Sequence, residues 1–284
     1  SAVLGLFALS LVLGVGFVWW ERRVKQPLLD LGIFRHRAFL AGCLAIFVFG
    51  GAFYAIMYLL PLFSQTILHY RPVTAGLLFL PSTLVLALLV PVIGKLSDRY
   101  PAHYMTLPGL AFAIFAVYLF SRADAYTSFG YLALALTLMS AGMASFPPPT
   151  LSRAIGSLPV HLTGYGSGVI NFTLQMGGAF GTAALVLMMD RRISWHGEHI
   201  STTLTPGNEV AMATVGRWQE WLAGLGVPEA WQQAAALQKL GATEQFWATV
   251  MAYQDGFWLV MVSLTFVVIP AWLLSRWTRT PQHA

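Results

Sequence analysis

Long apolar runs alternate with short charged breaks along the 284 residues. The runs at 73–93 and 104–120 contain no Asp, Glu, Lys or Arg, and each approaches the ~20 residues a helix needs to cross a bilayer. Between them lies Gly94-Lys95-Leu96-Ser97-Asp98-Arg99-Tyr100, a break too short for a soluble domain and too charged for lipid. Extended along the chain, the pattern predicts seven membrane spans, at 2–20, 39–62, 73–93, 104–120, 129–146, 165–189 and 257–274. Helices of soluble proteins keep a polar face, and these mostly do not. The predicted fold class is all-α and integral to a membrane.

Composition agrees: 57% of residues are apolar and 10% charged, against roughly 25% charged in a soluble domain. The net charge of +5 reads as a topology signal, because no soluble face gathers the Lys and Arg that a nucleic-acid surface needs. With the break at 94–100 on the cytoplasmic side, the inner loops and tail hold Arg22, Arg23, Lys25, Arg35, Arg37, Lys95, Arg99, Arg153, Arg276 and Arg279. The two short outer loops hold only Arg71 and Arg122. By the positive-inside rule the C-terminus is cytoplasmic and Ser1 outside. An odd span count and an abrupt apolar start predict a piece of a larger protein that lacks its first half. The lone Cys43 excludes an internal disulfide.

Two connecting segments have character of their own. Residues 21–38 alternate basic residues with Leu28, Leu29, Leu31, Ile33 and Phe34, which predicts an amphipathic linker at the inner interface. Residues 191–255 form the one large extramembrane segment. Val215, Trp218, Leu222 and Leu225 recur there at helical spacing, predicting two short helices resting on the outer surface, with Trp218, Trp221, Trp231 and Trp247 at the membrane boundary. His196-Gly197-Glu198-His199 lacks the i, i+4 histidine spacing of a zinc helix, so no metal site is expected.

Candidate chemistry concentrates in spans two and six. Gly164, Gly168, Asn171, Gln175, Gly178 and Thr182 fall on one helical face, and Gly177 and Gly181 add a second small-residue pair. Gly164, Gly168, Gly177, Gly178 and Gly181 are expected to serve helix packing. Asn171 and Gln175 must meet protein or water, since an unpaired amide in hydrocarbon is costly. They are either clamps between helices or the lining of an aqueous substrate cavity. Tyr54 and Tyr58, one turn apart around Met57, suit a pocket for flat amphipathic molecules and equally suit packing. All eleven acidic residues and all seven histidines lie away from span centres, so no proton relay is placed at mid-membrane. No lysine lies in a span, which argues against a retinal protein, and no catalytic cluster supports an enzyme.

These residues resemble a known family. Leu60-Pro61-Leu62, Gln65, Tyr70, Ala75-Gly76-Leu77 and Leu80-Pro81 resemble a signature in the C-terminal half of 14-span drug:proton antiporters of the major facilitator superfamily. Glu21, Pro27-Leu28-Leu29, Leu31, Phe34-Arg35, Arg37 and Phe39 resemble the preceding linker. Gly94, Leu96, Asp98 and Arg99 resemble the cytoplasmic loop motif, and Gly166, Gly168, Asn171, Gln175, Gly177-Gly178 and Gly181-Thr182-Ala183 the glycine-rich penultimate span. Three positions depart: Pro101-Ala102-His103-Tyr104 follow the loop motif in place of Gly and basic residues, His69 stands where a Gly usually precedes the tyrosine, and Leu174 where an Arg is common.

The resemblance implies a C-terminal six-helix bundle preceded by one insert helix. The expected divisions are an insert span (1–20), a cytoplasmic linker (21–38), bundle spans two to six (39–190), a periplasmic helical segment (191–255) and a last span with cytoplasmic tail (256–284). It implies alternating access in a bacterial inner membrane, with proton antiport driving export of hydrophobic drug-like compounds and no cofactor. Tyr54, Tyr58, Asn171 and Gln175 would line the cavity, and Gly94, Asp98 and Arg99 would latch the cytoplasmic side. Asp98 is expected just ahead of a helix beginning near Pro101, facing the positive end of its dipole. Partners would include protons, the bilayer, the missing half, and a periplasmic adaptor with an outer-membrane channel. A same-fold transporter of a siderophore or organic anion, and a truncated interaction module, are the alternatives.

Overall fold

The computed structural model describes residues 2–21, 23, 31–99, 103–203 and 209–277. Among them every regular element is helical and none is a strand. The α-helices are α1 (Ala2–Glu21), α2 (Arg37–Thr66), α3 (Pro72–Leu77), α4 (Phe79–Arg99), α5 (His103–Ser121), α6 (Phe129–Ser145), α7 (Pro147–Gly156), α8 (Thr163–Thr203), α9 (Glu209–Gly224) and α10 (Glu229–Trp277). Six membrane-crossing candidates emerge by length and composition: α2, the rod of α3 and α4, α5, the rod of α6 and α7, α8, and α10. The first of the seven predicted spans is helical as α1, but is not among these six.

Local sequence explains the joints. Pro72 opens α3 and Pro147 opens α7, at the first helical position where a missing N–H costs least. The fifth predicted span stops at 146, yet the rod bends there and continues as α7 to Gly156. Ser128 caps α6 by accepting from the Tyr131 backbone N–H at 3.3 Å.

Helix α2 is central, packing on α8 and α10, while α5 packs on α6 and α10 and α4 on α6. The core is apolar and aromatic: Phe63, Phe120 and Phe257 are fully buried, with ring centroids 5.9 Å apart for Phe63–Phe257 and 5.4 Å for Phe120–Phe257. Phe49 stacks on buried Phe146 at 4.7 Å where α6 gives way to α7.

Three expectations are corrected here. The charged break at 94–100 is not a hairpin loop: α4 runs on to Arg99, so Gly94 and Lys95 are helical. Asp98 therefore lies in the last turn of α4 and not ahead of α5, which begins at His103. The side chains of Asp98 and Arg99, and residues 100–102, lie outside the described residues. The segment 191–255 is helical but is not two short surface helices. Nothing between Thr163 and Thr203 breaks a helix, so α8 runs 41 residues, about 60 Å at 1.5 Å per residue. The 49 residues of α10 span about 74 Å. Both outreach the ~30 Å hydrocarbon layer, and their overhangs, with α9 packed on α10, make a helical projection. In the linker, Leu31–Arg35 is a 3-10 turn with Ile33 fully buried, while residues 22 and 24–30 lie outside the described residues.

Candidate functional site

The site is built where α2 crosses α8. The two backbones meet closely because both helices shed side chains there. A Cβ added to Gly51 would lie 3.1 Å from the Gly177 carbonyl oxygen, and one added to Gly50 would lie 2.5 Å from that of Leu174. One added to Gly177 would overlap the Phe47 carbonyl, and one added to Gly181 would overlap the Gly51 backbone. At the next turn the Tyr54 ring occupies the space over Gly178. Its hydroxyl donates to Gln175 Oε1 at 2.7 Å. Two of the four residues singled out for a cavity are thus joined directly, 121 positions apart in sequence.

The other two extend this stripe along their own helices. Tyr58 is one turn beyond Tyr54 and 41% exposed. Asn171 is one turn from Gln175, and both amides are exposed. Gln65, not picked out as a site residue from the sequence, also lies exposed on α2, its amide turned back to the Pro61 carbonyl at 3.2 Å. Two phenols and two amides on otherwise apolar spans can stack on a flat molecule and exchange hydrogen bonds with it. They carry no formal charge.

The five glycines divide. Gly177, Gly178 and Gly181 sit at the crossing, but added Cβ atoms at Gly164 and Gly168 would meet nothing within 4 Å. Those two share the exposed face with Asn171 and Gln175 and do not pack within this bundle. Gly166 packs instead, since a Cβ added there would lie 2.6 Å from Leu158 Cδ1, between the two faces read from the sequence. Gly94 also faces open space. On the opposite flank of the crossing an apolar crevice of about 240 Å³ opens between α2, α8 and α10, floored by Gly51, Gly177 and Gly181. Its Ser263 hydroxyl donates to the Leu259 carbonyl at 2.8 Å.

A polar cluster that sequence reasoning left unassembled closes the end of the bundle where α2 stops. Consecutive residues of α10 hold three different elements. Tyr253 and Thr66 of α2 share a hydroxyl hydrogen bond at 3.0 Å. The Gln254 amide donates to the Ala123 carbonyl between α5 and α6 at 2.9 Å. Asp255 takes His196 Nε2 at 2.8 Å and Arg192 Nε at 3.5 Å, both from α8. His199 stacks on Trp195 and His196 meets the same indole edge to face, both with centroids 4.8 Å apart, so both histidines clasp one tryptophan and His196 reaches Asp255 as well. Among the described residues no three His, Cys, Asp or Glu gather to hold a metal. The sole sequence signal for this cluster was Arg192 and His196 at i, i+4, followed much later by an acidic residue at the head of the last apolar run.

The turn after α2 explains one departure from the family pattern. His69 has φ of +53°, a left-handed conformation that glycine takes freely and histidine tolerates better than most residues. Its ring lies over Phe246 of α10, 6.4 Å between centroids and 23° from parallel.

Comparison with known proteins places the chain. Residues 1–182 match the model of the Major Facilitator Superfamily. The chain is 28% identical over 225 residues to the lincomycin resistance protein LmrB of Listeria monocytogenes, an alignment covering 79% of this chain and 46% of that protein. It is 26% identical over 261 residues to the multidrug export protein EmrB of Escherichia coli K12, covering 88% and 49%. With EmrB of Haemophilus influenzae the identity is 25% over 263 residues, covering 89% and 50%. The chain spans about half the length of the curated relatives it matches. It is a multi-pass, all-α membrane chain that belongs to the Major Facilitator Superfamily, a family of transporters and not of enzymes.

Proposed function

We propose that this chain is the C-terminal half of an exporter of hydrophobic or amphipathic drug-like compounds, and that Tyr54, Tyr58, Asn171 and Gln175 form its side of the substrate path. The observation that carries the reading is the Tyr54–Gln175 bond at an exposed edge of the α2–α8 crossing. Amides exposed on apolar spans are stable only against water or another polar surface. A path between this bundle and a second half supplies that surface. The relatives' names, multidrug export and lincomycin resistance, favour a drug-like cargo over a siderophore or organic anion.

Proton antiport in a bacterial inner membrane, with the C-terminus cytoplasmic, completes the proposal. Its support is the family resemblance and the distribution of Arg and Lys. The titrating carboxylate is assigned to the other half, since this stripe holds none. The helical projection of α8, α9 and α10 is the natural docking place for a periplasmic adaptor leading to an outer-membrane channel.

The test is efflux of ethidium and of lincomycin from cells producing the intact protein, with Tyr54→Phe, Gln175→Leu and the double variant at equal membrane levels. The double variant is expected to slow ethidium efflux up to about tenfold, the equivalent of one neutral hydrogen bond and its two polar groups, the ring being kept by Phe. The ranking of the two substrates should change too, and collapse of the pH gradient should abolish transport of both. Unchanged rates and ranking in all three variants would remove the stripe from the substrate path.

A further inference from the structure

The projection contains a second arrangement of aromatic rings that transport through the bundle does not use. On α9, Trp218 and Trp221 stand edge to face, centroids 5.8 Å apart at 86°. Into the angle between them α10 sends Lys239, whose Nζ lies 4.2 Å from one ring centroid and 4.5 Å from the other. Among the described residues no carboxylate lies within ion-pair distance of this ammonium. Two indole faces are what hold it. Trp221 is 50% exposed and Trp218 and Lys239 are half-buried, so the seat is reached directly from water.

We infer that the Trp218–Trp221 angle is a binding seat for organic cations of the quaternary ammonium class, and that Lys239 is its resident occupant. Indole faces attract cations through the ring quadrupole, and pairs of such faces recognise alkylated ammonium groups. A lysine ammonium is compact and strongly hydrated, so it gives up more hydration on entering the angle than a tetraalkylammonium does. The tethered lysine has the advantage of proximity, and the alkylated ligand has the better match to the site. Lys239 therefore sets the threshold above which an exogenous cation enters. It also fastens α9 to α10 whenever the seat is otherwise empty.

A small lysine count makes this measurable: these 284 residues hold only Lys25, Lys95 and Lys239. Reductive ¹³C-dimethylation keeps each lysine cationic and gives each an NMR signal. The Lys239 signal, assigned by its loss in Lys239→Met, is expected upfield of the others from the two indole ring currents. Added tetraethylammonium should shift it saturably toward the solvent-exposed position. Choline should do the same, and its neutral isostere 3,3-dimethylbutan-1-ol should leave the signal in place. In Lys239→Met, quenching of tryptophan fluorescence should show tetraethylammonium binding about tenfold more tightly than in the parent, and Trp218→Leu with Trp221→Leu should abolish the binding. A Lys239 signal that never moves, an equal response to the neutral isostere, or equal affinity in the parent and Lys239→Met would overturn the assignment.

Discussion

Helix α8 is held in two places by opposite means. Where it crosses α2 the contact is made by removing side chains, with Gly50, Gly51, Gly177 and Gly181 letting the backbones meet. Where it leaves the bundle beside α10, the contact is made by adding polar groups, with Arg192 and His196 closing on Asp255. The difference follows from the solvent. In hydrocarbon, apolar side chains gain nothing by leaving lipid for protein, so close van der Waals fit decides association. At the water-facing end a carboxylate and its partners are tolerated, and a directed bond fixes how the overhanging helices leave the membrane. The Tyr54–Gln175 bond sits at the boundary between these regimes, polar chemistry laid along the edge of a glycine contact.

The largest effect belongs to the glycine crossing. Gly177→Ala places a methyl group against the Phe47 backbone, which no rotamer change relieves. A cost of about 2–3 kcal/mol is expected from overpacking. Gly168→Ala meets open space on the same helix and should gain up to about 0.5–1 kcal/mol from helix propensity. Thermal unfolding of the intact protein in detergent, followed by size exclusion, checks both. Equal shifts would show that the crossing is looser than its glycines require.

Asp255→Ala probes the other contact. Its side chain is 28% exposed and that of Arg192 45%, so screening trims a charged hydrogen-bond network to about 1 kcal/mol. Hydrogen exchange should quicken in α8 over 190–203 and stay unchanged over 171–181. Faster exchange at both places would mean the two contacts act as one unit. In a double-mutant cycle His196→Ala should add little once Asp255 is gone.

Much of this was legible beforehand, because apolar runs free of charge admit few structures and a membrane enforces helices. The stripe of Asn171 and Gln175 was legible as a helical face, and the structure brings Gln175 to Tyr54. The long overhangs of α8 and α10 were not, because a helix break was expected at the membrane boundary. The sequence from Asp190 to Thr203 contains no proline, so α8 crosses that boundary unbroken. The glycines were sorted onto a correct face but not to a correct neighbour: periodicity orients residues about their own axis and says nothing of where a second helix begins to cross. Asp255 and His196, 59 positions apart, leave no local pattern at all.

The smallest effect tests what fixes the C-terminal end of α2. His69 occupies a left-handed backbone conformation that costs a side-chain-bearing residue roughly 1–2 kcal/mol. Glycine removes that strain but gives back about 0.5–1 kcal/mol in chain entropy, and it loses the face-to-face contact with Phe246. His69→Gly should therefore stabilise the protein by only a few tenths of a kcal/mol, estimated as the difference of those terms. His69→Val should destabilise by more than about 1 kcal/mol, since a branched side chain fits that conformation worst. Both are read from unfolding midpoints in one detergent. If His69→Gly instead proved markedly less stable than the parent, the ring on Phe246 would outweigh the backbone strain. The C-terminal end of α2 would then be fastened by aromatic contact as much as by the Thr66–Tyr253 bond.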